Sequence, residues 1–268
     1  MPELPGIEIK INKLCNKVLL NKKYCEEVSY LKNQLNIDRD QIIASWLYWD
    51  TAIKKYSNEV YSSAALRMVM HLHNYLSGSW HVKRQKAVLD YLKIIKTKKI
   101  CEIGFGVPQQ YVREFLKLKN TEIFLGDYEN SSFIFAKKVL AYWHKNWKQK
   151  INLSIFNMNT DLLPTGYGAY IFQDSIEHAE RPFETLVKFV NSVPQNTYFI
   201  FSLPIEIKDP IPEHHICWKN EKEVLKWIQK VGLKTIKNKT IKMNREVDIF
   251  SLSLHKNFRE IVLLAKKD

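Results

Sequence analysis

Lys99-Ile-Cys-Glu-Ile-Gly-Phe-Gly106 is the stretch from which the rest of this chain is read. Residues 99–103 have the length and β-branched content of a strand. Gly104 and Gly106 follow, and glycines there let the backbone turn tightly and approach a ligand with no Cβ in the way. A lone Gly-x-Gly is weak support for a binding site, but Asp127 strengthens it. It closes the next apolar run, Glu122-Ile-Phe-Leu-Gly, about 20 residues beyond the glycines, the spacing at which an acid reaches ribose hydroxyls in dinucleotide folds. A carboxylate suits a diol because it accepts both hydroxyl protons. Val107 and Pro108 stand where a third glycine would complete a phosphate cradle, and Pro108 has no N–H to offer. The bend therefore suits a ribose-bearing ligand without a pyrophosphate.

Outward from this bend, short apolar runs alternate with amphipathic helices. Strands are expected at 99–103, 122–126, 151–156, 169–173 and 197–202, with helices near 110–118, 131–147, 182–193 and 222–231. Gly232 ends the last of these helices. Such alternation implies a parallel sheet with helices on both faces. Two further extended segments, 233–243 and 259–265, have no helix between them and are expected to pair as an antiparallel edge hairpin. The expected class is α/β, a Rossmann-like, mostly parallel seven-stranded sheet. Ahead of it the chain reads as helical, with segments at 41–50 (capped by Asp38 or Asp40), 59–76 and 82–95. The expected division is a helical cap or lid over 1–85 and a catalytic domain over 86–268.

A chain of 268 residues with 46% apolar content can bury a substantial core. Its apolar runs, such as 261–265, fall far short of the roughly 20 residues a membrane-spanning helix needs. With no apolar signal core near the start, a cytoplasmic protein with no membrane partner is expected. Cys15, Cys25, Cys101 and Cys217 form no CxxC pair, which excludes a zinc ribbon and favours free thiols over a disulfide framework. The opening Met-Pro-Glu-Leu-Pro-Gly-Ile-Glu resembles the start of formamidopyrimidine-type DNA glycosylases, but the cysteine zinc finger of that family is missing. The net charge of +13 invites a nucleic-acid partner. Lysine far outnumbers arginine, however, and phosphate and base recognition lean on arginine's planar fork. A solvated lysine surface is the favoured reading.

Five ordered stretches give the chain a resemblance to the class I S-adenosylmethionine-dependent methyltransferases over about residues 85–268. They are CEIGFG (101–106), LGDYENSSFIFAKK (125–138), NTDLLP (159–164), FQDSIEHAERP (172–182) and EHHICWKNEKEVLKWIQKVGL (213–233). The resemblance implies S-adenosyl-L-methionine as cofactor, a ribose-bearing ligand with no phosphate. It implies that Glu102 orders the methionine end while Gly104 and Gly106 line it. Asp127 would hold the ribose, Tyr128 would stack on the adenine, and Asp174 would edge the reaction centre. Asn159 stands where the family usually has an aspartate touching the adenine amine, and Pro108 replaces the family's third glycine.

Candidates for the chemistry fall in two places. Asp174, Glu177 and His178 are spaced to share one face if the segment is helical. Glu213, His214 and His215 follow the fifth strand and pass over the same end of the sheet, where open α/β folds bind their ligands. Asp174, His178, His214 and His215 are the expected catalytic residues, the acid–His pair shaping the pocket without a metal. The less favoured alternative is a divalent cation on Asp174, Glu177, His178 and His214 or His215, mixed ligands suited to Mn²⁺, Fe²⁺ or Zn²⁺. That alternative is similar to the E-x-x-E-H plus distant His of small-RNA 2′-O-methyltransferases, with Asp for the first Glu. Tyr75 and His81 are the expected substrate-binding residues of a lid. The favoured activity is methyl transfer to an O or N atom of a small-molecule or peptide-like acceptor. An RNA methyltransferase and a non-catalytic adaptor retaining the fold are the alternatives.

Overall fold

The computed structural model describes residues 22–36, 68, 71, 75, 79–205, 214–242 and 259–268. Helices α1 (Lys22–Leu35) and α2 (Ser79–Ile95) precede strand β1 (Lys99–Ile103). Then come α3 (Gln110–Leu116), β2 (Glu122–Asp127), α4 (Asn130–Trp143), β3 (Ile151–Ile155) and β4 (Ala169–Gln173). The series ends with α5 (Pro182–Ser192), β5 (Tyr198–Ile205), α6 (Glu221–Lys230), β6 (Leu233–Lys242) and β7 (Arg259–Lys267). The seven strands form one sheet in the order β3-β2-β1-β4-β5-β7-β6. β1 to β5 run parallel, and β7 enters antiparallel between β5 and β6. The expected α/β sheet with its antiparallel hairpin is present.

The central strands are buried on both faces, and their alternating side chains build two cores. Cys101, Ile103, Tyr170, Phe172, Phe199 and Phe201 face α5 and α6, which contribute Leu186, Phe189, Trp227 and Ile228. This face is aromatic, with Phe172 and Phe201 stacked at 5.6 Å and Tyr170 and Phe199 at 5.7 Å. The residues between them, Ile100, Ala169, Ile171, Ile200 and Val262, face α2, α3 and α4. The smaller aliphatic side chains there accept three helices. Tyr91 of α2 also donates to the carbonyl of Val262 in β7 at 3.1 Å.

Two local expectations need correction. The helix predicted over 131–147 stops at Trp143, because His144 turns extended (φ −157°) and Trp147 begins a separate 3₁₀ turn that buries its indole. Asp174, Glu177 and His178 do not share a helix face. Asp174 leaves β4 in a left-handed conformation (φ +46°), and only Ile176–His178 form a single 3₁₀ turn. The helix predicted at 41–50 lies outside the described residues, and of the one at 59–76 only Met68, His71 and Tyr75 are described, each helical. Residues 85 and 86 both lie within α2, which packs on the sheet. Among the described residues no helix is long and apolar enough to cross a membrane.

Candidate functional site

The sheet order reverses direction between β1 and β4, the place where open α/β sheets bind ligands at the carboxyl ends of their strands. Gly104 and Gly106 lie just past the end of β1, both at positive φ (+72° and +56°). The two glycines serve different ends. A Cβ on Gly104 would sit 2.5 Å from Cβ of Ser175, so the residue is small because the segment after β4 packs against it. A Cβ on Gly106 would meet no protein atom within 4 Å, leaving open space at the bend.

Asp127 faces that bend. Its Oδ2 accepts the Gly106 N–H at 2.8 Å and its Oδ1 accepts the Glu129 N–H at 2.9 Å. The Ser132 side chain adds a third hydrogen bond to the same carboxylate. Burial raises its pKa to about 6, against the pull of those two N–H donors. Beside it the Tyr128 ring is 69% exposed. Glu102 is buried at the far side of the bend, its Oε1 accepting from Gln173 Nε2 at 2.6 Å and its Oε2 from the Tyr111 hydroxyl. Burial raises its pKa to about 7, and the two hydrogen bonds hold it from rising further. Asn159 turns to the loop after β4, where its Oδ1 accepts the Glu180 N–H at 3.0 Å.

The other side of the site is assembled from distant segments. Arg84 of α2, 4% exposed, donates through Nη1 to Asp174 Oδ2 and to Glu260 Oε1 of β7, the latter at 3.1 Å. Burial works against its charge, but Glu260 and Asp174 override this and raise its pKa. Glu260, 1% exposed, has its pKa raised to about 8 by burial, with Arg84 pulling it down and Asp174 pushing it up. Gln85, the next residue of α2, donates to Gln109 and accepts the Gln110 N–H, tying α2 to the start of α3. Buried oxygens of Gln173 (Oε1), Asp174 (Oδ1) and Ser175 (Oγ) carry no hydrogen bond among the described residues. They lie on consecutive residues beside Gly104, so a ligand seated there with hydrogen-bond donors fits the chain.

His178 and His214 do come together, their rings edge-on at 4.7 Å. His215 is exposed, and its N–H donates to the carbonyl of Glu177 at 2.8 Å, pinning one loop on the other. Asp174 lies apart from this group, held by Arg84. Tyr75 donates to Glu27, receives the Trp143 indole N–H at 3.1 Å and packs on Phe135 of α4. His81 lies in α2 with its side chain outside the described residues, and Glu213 lies outside them altogether. Sequence reasoning missed Arg84, Tyr111, Gln173, Ser175 and Glu260. The one available signal was the acid Glu260 at the head of the apolar run Ile261-Val-Leu-Leu-Ala.

No family model matches the sequence, and no curated relative does. The fold does match solved structures. PigF with SAH superposes with a TM-score of 0.57 at 11% identity, over 92% of this chain and 72% of that one. The O-methyltransferase from the trans-AT PKS multienzyme of Brevibacillus brevis, in complex with S-adenosyl-L-homocysteine, gives 0.51 at 12% identity, covering 69% and 71%. The [4+2]-cyclase SpnF gives 0.52 at 9% identity, covering 68% and 81%.

Proposed function

We propose that this chain, which has the class I methyltransferase fold, is an S-adenosylmethionine-dependent methyltransferase acting on an O or N atom of a small-molecule or peptide-like acceptor. The observation that carries the reading is Asp127, a buried carboxylate aimed at the Gly106 N–H beside open space. When bound, the cofactor supplies a methyl group activated on sulfonium. The chain's residues do the rest. Asp127 holds the ribose diol and Tyr128 covers the adenine, while Glu102, fixed by Tyr111 and Gln173, orders the methionine end near Gly104. Asp174, steadied by Arg84, borders the acceptor, and His178 or His214 takes the acceptor's proton where it carries one. Much of the acceleration in such a displacement comes from positioning. PigF with SAH and the O-methyltransferase complexed with S-adenosyl-L-homocysteine support the cofactor assignment by likeness of fold. SpnF shares that fold and is a cyclase, so binding and turnover are tested separately.

Titration calorimetry with S-adenosylmethionine and S-adenosylhomocysteine is expected to show binding that Asp127→Ala weakens by about 2–3 kcal/mol, the worth of charge-assisted hydrogen bonds. No binding by the parent, or an Asp127→Ala variant that binds as the parent does, would overturn the reading. Release of the methyl-depleted cofactor during incubation with candidate acceptors then separates an enzyme from an adaptor.

A further inference from the structure

We propose that His71 is a positioning residue for the Asp127 carboxylate, acting through Ser131 and Glu129, so that the N-terminal helical residues tune the glycine-bend side of the site. The imidazole Nε2 of His71 meets the Ser131 hydroxyl at 2.9 Å, 60 positions along the chain. That hydroxyl donates to Glu129 Oε2 at 3.1 Å, and the Glu129 N–H donates to Asp127 Oδ1 at 2.9 Å. A hydroxyl has one proton, and Ser131 gives it to Glu129, so His71 Nε2 is the donor of the first bond. The path from His71 to the carboxylate is complete.

Packing fixes the imidazole in this place. His71 is buried, and Met68, His71 and Tyr75 are helical residues spaced i, i+3, i+7, which puts them on one face. The rings of His71 and Tyr75 each lie 5.8 Å, centroid to centroid, from that of Phe135 in α4. Phe135 and Val139 of α4 form one small core with Leu31 of α1 and Val107, and Met68 and Tyr75 pack against it. Val107 follows Gly106, whose N–H is the other backbone donor to Asp127. The N-terminal helical residues therefore brace the carboxylate from both sides. They stand behind one donor through Val107 and behind the other through Ser131 and Glu129.

What His71 adjusts is the charge on Asp127. Burial pushes that carboxyl up, the Glu129 and Gly106 N–H groups and the Ser132 side chain pull it down, and the Glu129 carboxylate pushes it up. Glu102 is a further charged group coupled to it. Releasing Ser131 loosens the turn that carries the Glu129 N–H, which then donates less well, and Asp127 takes up its proton at higher pH. The grip itself is local and His71 tunes it, so the effect is smaller than the loss of Asp127. That the carboxylate holds a ribose rests on the function proposed above. That His71 governs its ionisation does not, and the ligand-free protein tests it.

In the full chain without ligand, NMR follows the isotope-labelled Asp127 carboxyl carbon, assigned by its loss in Asp127→Asn. His71→Phe keeps a ring against Phe135 but removes the donor, and is expected to raise the titration midpoint by about half to one pH unit, the worth of one weakened hydrogen bond. Ser131→Ala should match it, and the double variant should go no further, since both cut one path. His71→Gln, which restores an N–H near the Nε2 position, should titrate as the parent does. In calorimetry, His71→Phe and Ser131→Ala should each weaken S-adenosylhomocysteine binding roughly 3- to 10-fold. Trp143→Phe loses the indole bonds to Glu27 and Tyr75, so it loosens the same packing off the path. It should lower stability and leave both readouts unmoved. Circular dichroism checks that each variant folds, and Ser131→Ala decides if His71→Phe does not. A midpoint that the path variants leave in place overturns the proposal, as does one that Trp143→Phe shifts equally. Unchanged affinity in those variants of a ligand-binding parent overturns it too. A parent that binds no S-adenosylhomocysteine sinks the ribose reading alone, and the midpoint still decides the role of His71.

Discussion

The two sides of the site are built in opposite ways. On the Asp127 side, a carboxylate meets the N–H of Gly106 across two consecutive strands, and 21 positions separate the partners. On the Asp174 side, Arg84 reaches a carboxylate 90 positions away and another 176 away, joining the second helix to the last strand. The first arrangement grips through backbone geometry that many sequences can supply. The second depends on charged side chains that must all arrive together, and there this chain becomes particular. A short-range grip tolerates drift in the rest of the molecule, whereas a long-range one ties the Asp174 side of the site to the stability of the whole sheet.

The largest expected effect breaks that tie. Arg84→Met leaves the buried Glu260 and the half-buried Asp174 without their shared guanidinium and is expected to cost about 3–5 kcal/mol in urea unfolding, the range for stranding a buried charge. Adding Glu260→Leu should recover a good part of the loss, because replacing a whole ion pair by apolar groups is near neutral. Recovery that fails would mean that Arg84 stabilises mainly through other contacts.

A smaller effect divides the two glycines. Gly104→Ala combines left-handed strain with a clash on Ser175 and should cost roughly 3 kcal/mol or more in chemical denaturation. Gly106→Ala adds strain without a clash, about 1–2 kcal/mol, and its main expected consequence is weaker S-adenosylhomocysteine binding. Equal losses of stability would erase the distinction between a packing glycine and a clearance glycine.

The smallest effect concerns protons. Asp127 has its pKa raised to about 6, so the free protein holds a proton there below that pH. A ribose diol binds best to the ionised carboxylate, which accepts both hydroxyl protons. S-adenosylhomocysteine affinity should therefore be flat above pH 6 and fall below it, approaching about tenfold, or 1.4 kcal/mol, per pH unit. Asp127→Asn should bind weakly with no such slope. A parent that shows no slope between pH 5 and 7 would place the ligand elsewhere.

This contrast also explains what could be read from the chain before any coordinates. Ile100, Ile171 and Ile200 sit in runs whose length, composition and spacing mark strands, and Asp127 follows Gly106 at a spacing that local geometry dictates. Those features belong to neighbouring elements, so the sequence displays them directly. Nothing near Arg84 announces Glu260, because their meeting depends on where β7 enters the sheet. The i, i+3, i+4 spacing of Asp174, Glu177 and His178 suggested a helix face that Asp174's left-handed backbone abolishes. Likewise Gly104 looked like a residue cleared for a ligand, yet its nearest neighbour is Ser175, more than seventy positions on. His178 and His214 fell in two stretches that could each be singled out, but their meeting, held by the backbone bond from His215 to Glu177, is set by the fold.

The insertion of β7 between β5 and β6 has a temporal side as well. As the chain emerges during synthesis, β5 and β6 are complete before the strand that must separate them exists. They therefore have to wait as unjoined edges, or part again if they pair early. Non-local pairings of this kind are slow to form. Only when Glu260 arrives on that late strand can Arg84, made long before, find its second carboxylate. The Arg84–Glu260 side of the site is thus the last part to be completed, and a chain interrupted before β7 would carry a finished glycine bend beside an unfinished wall.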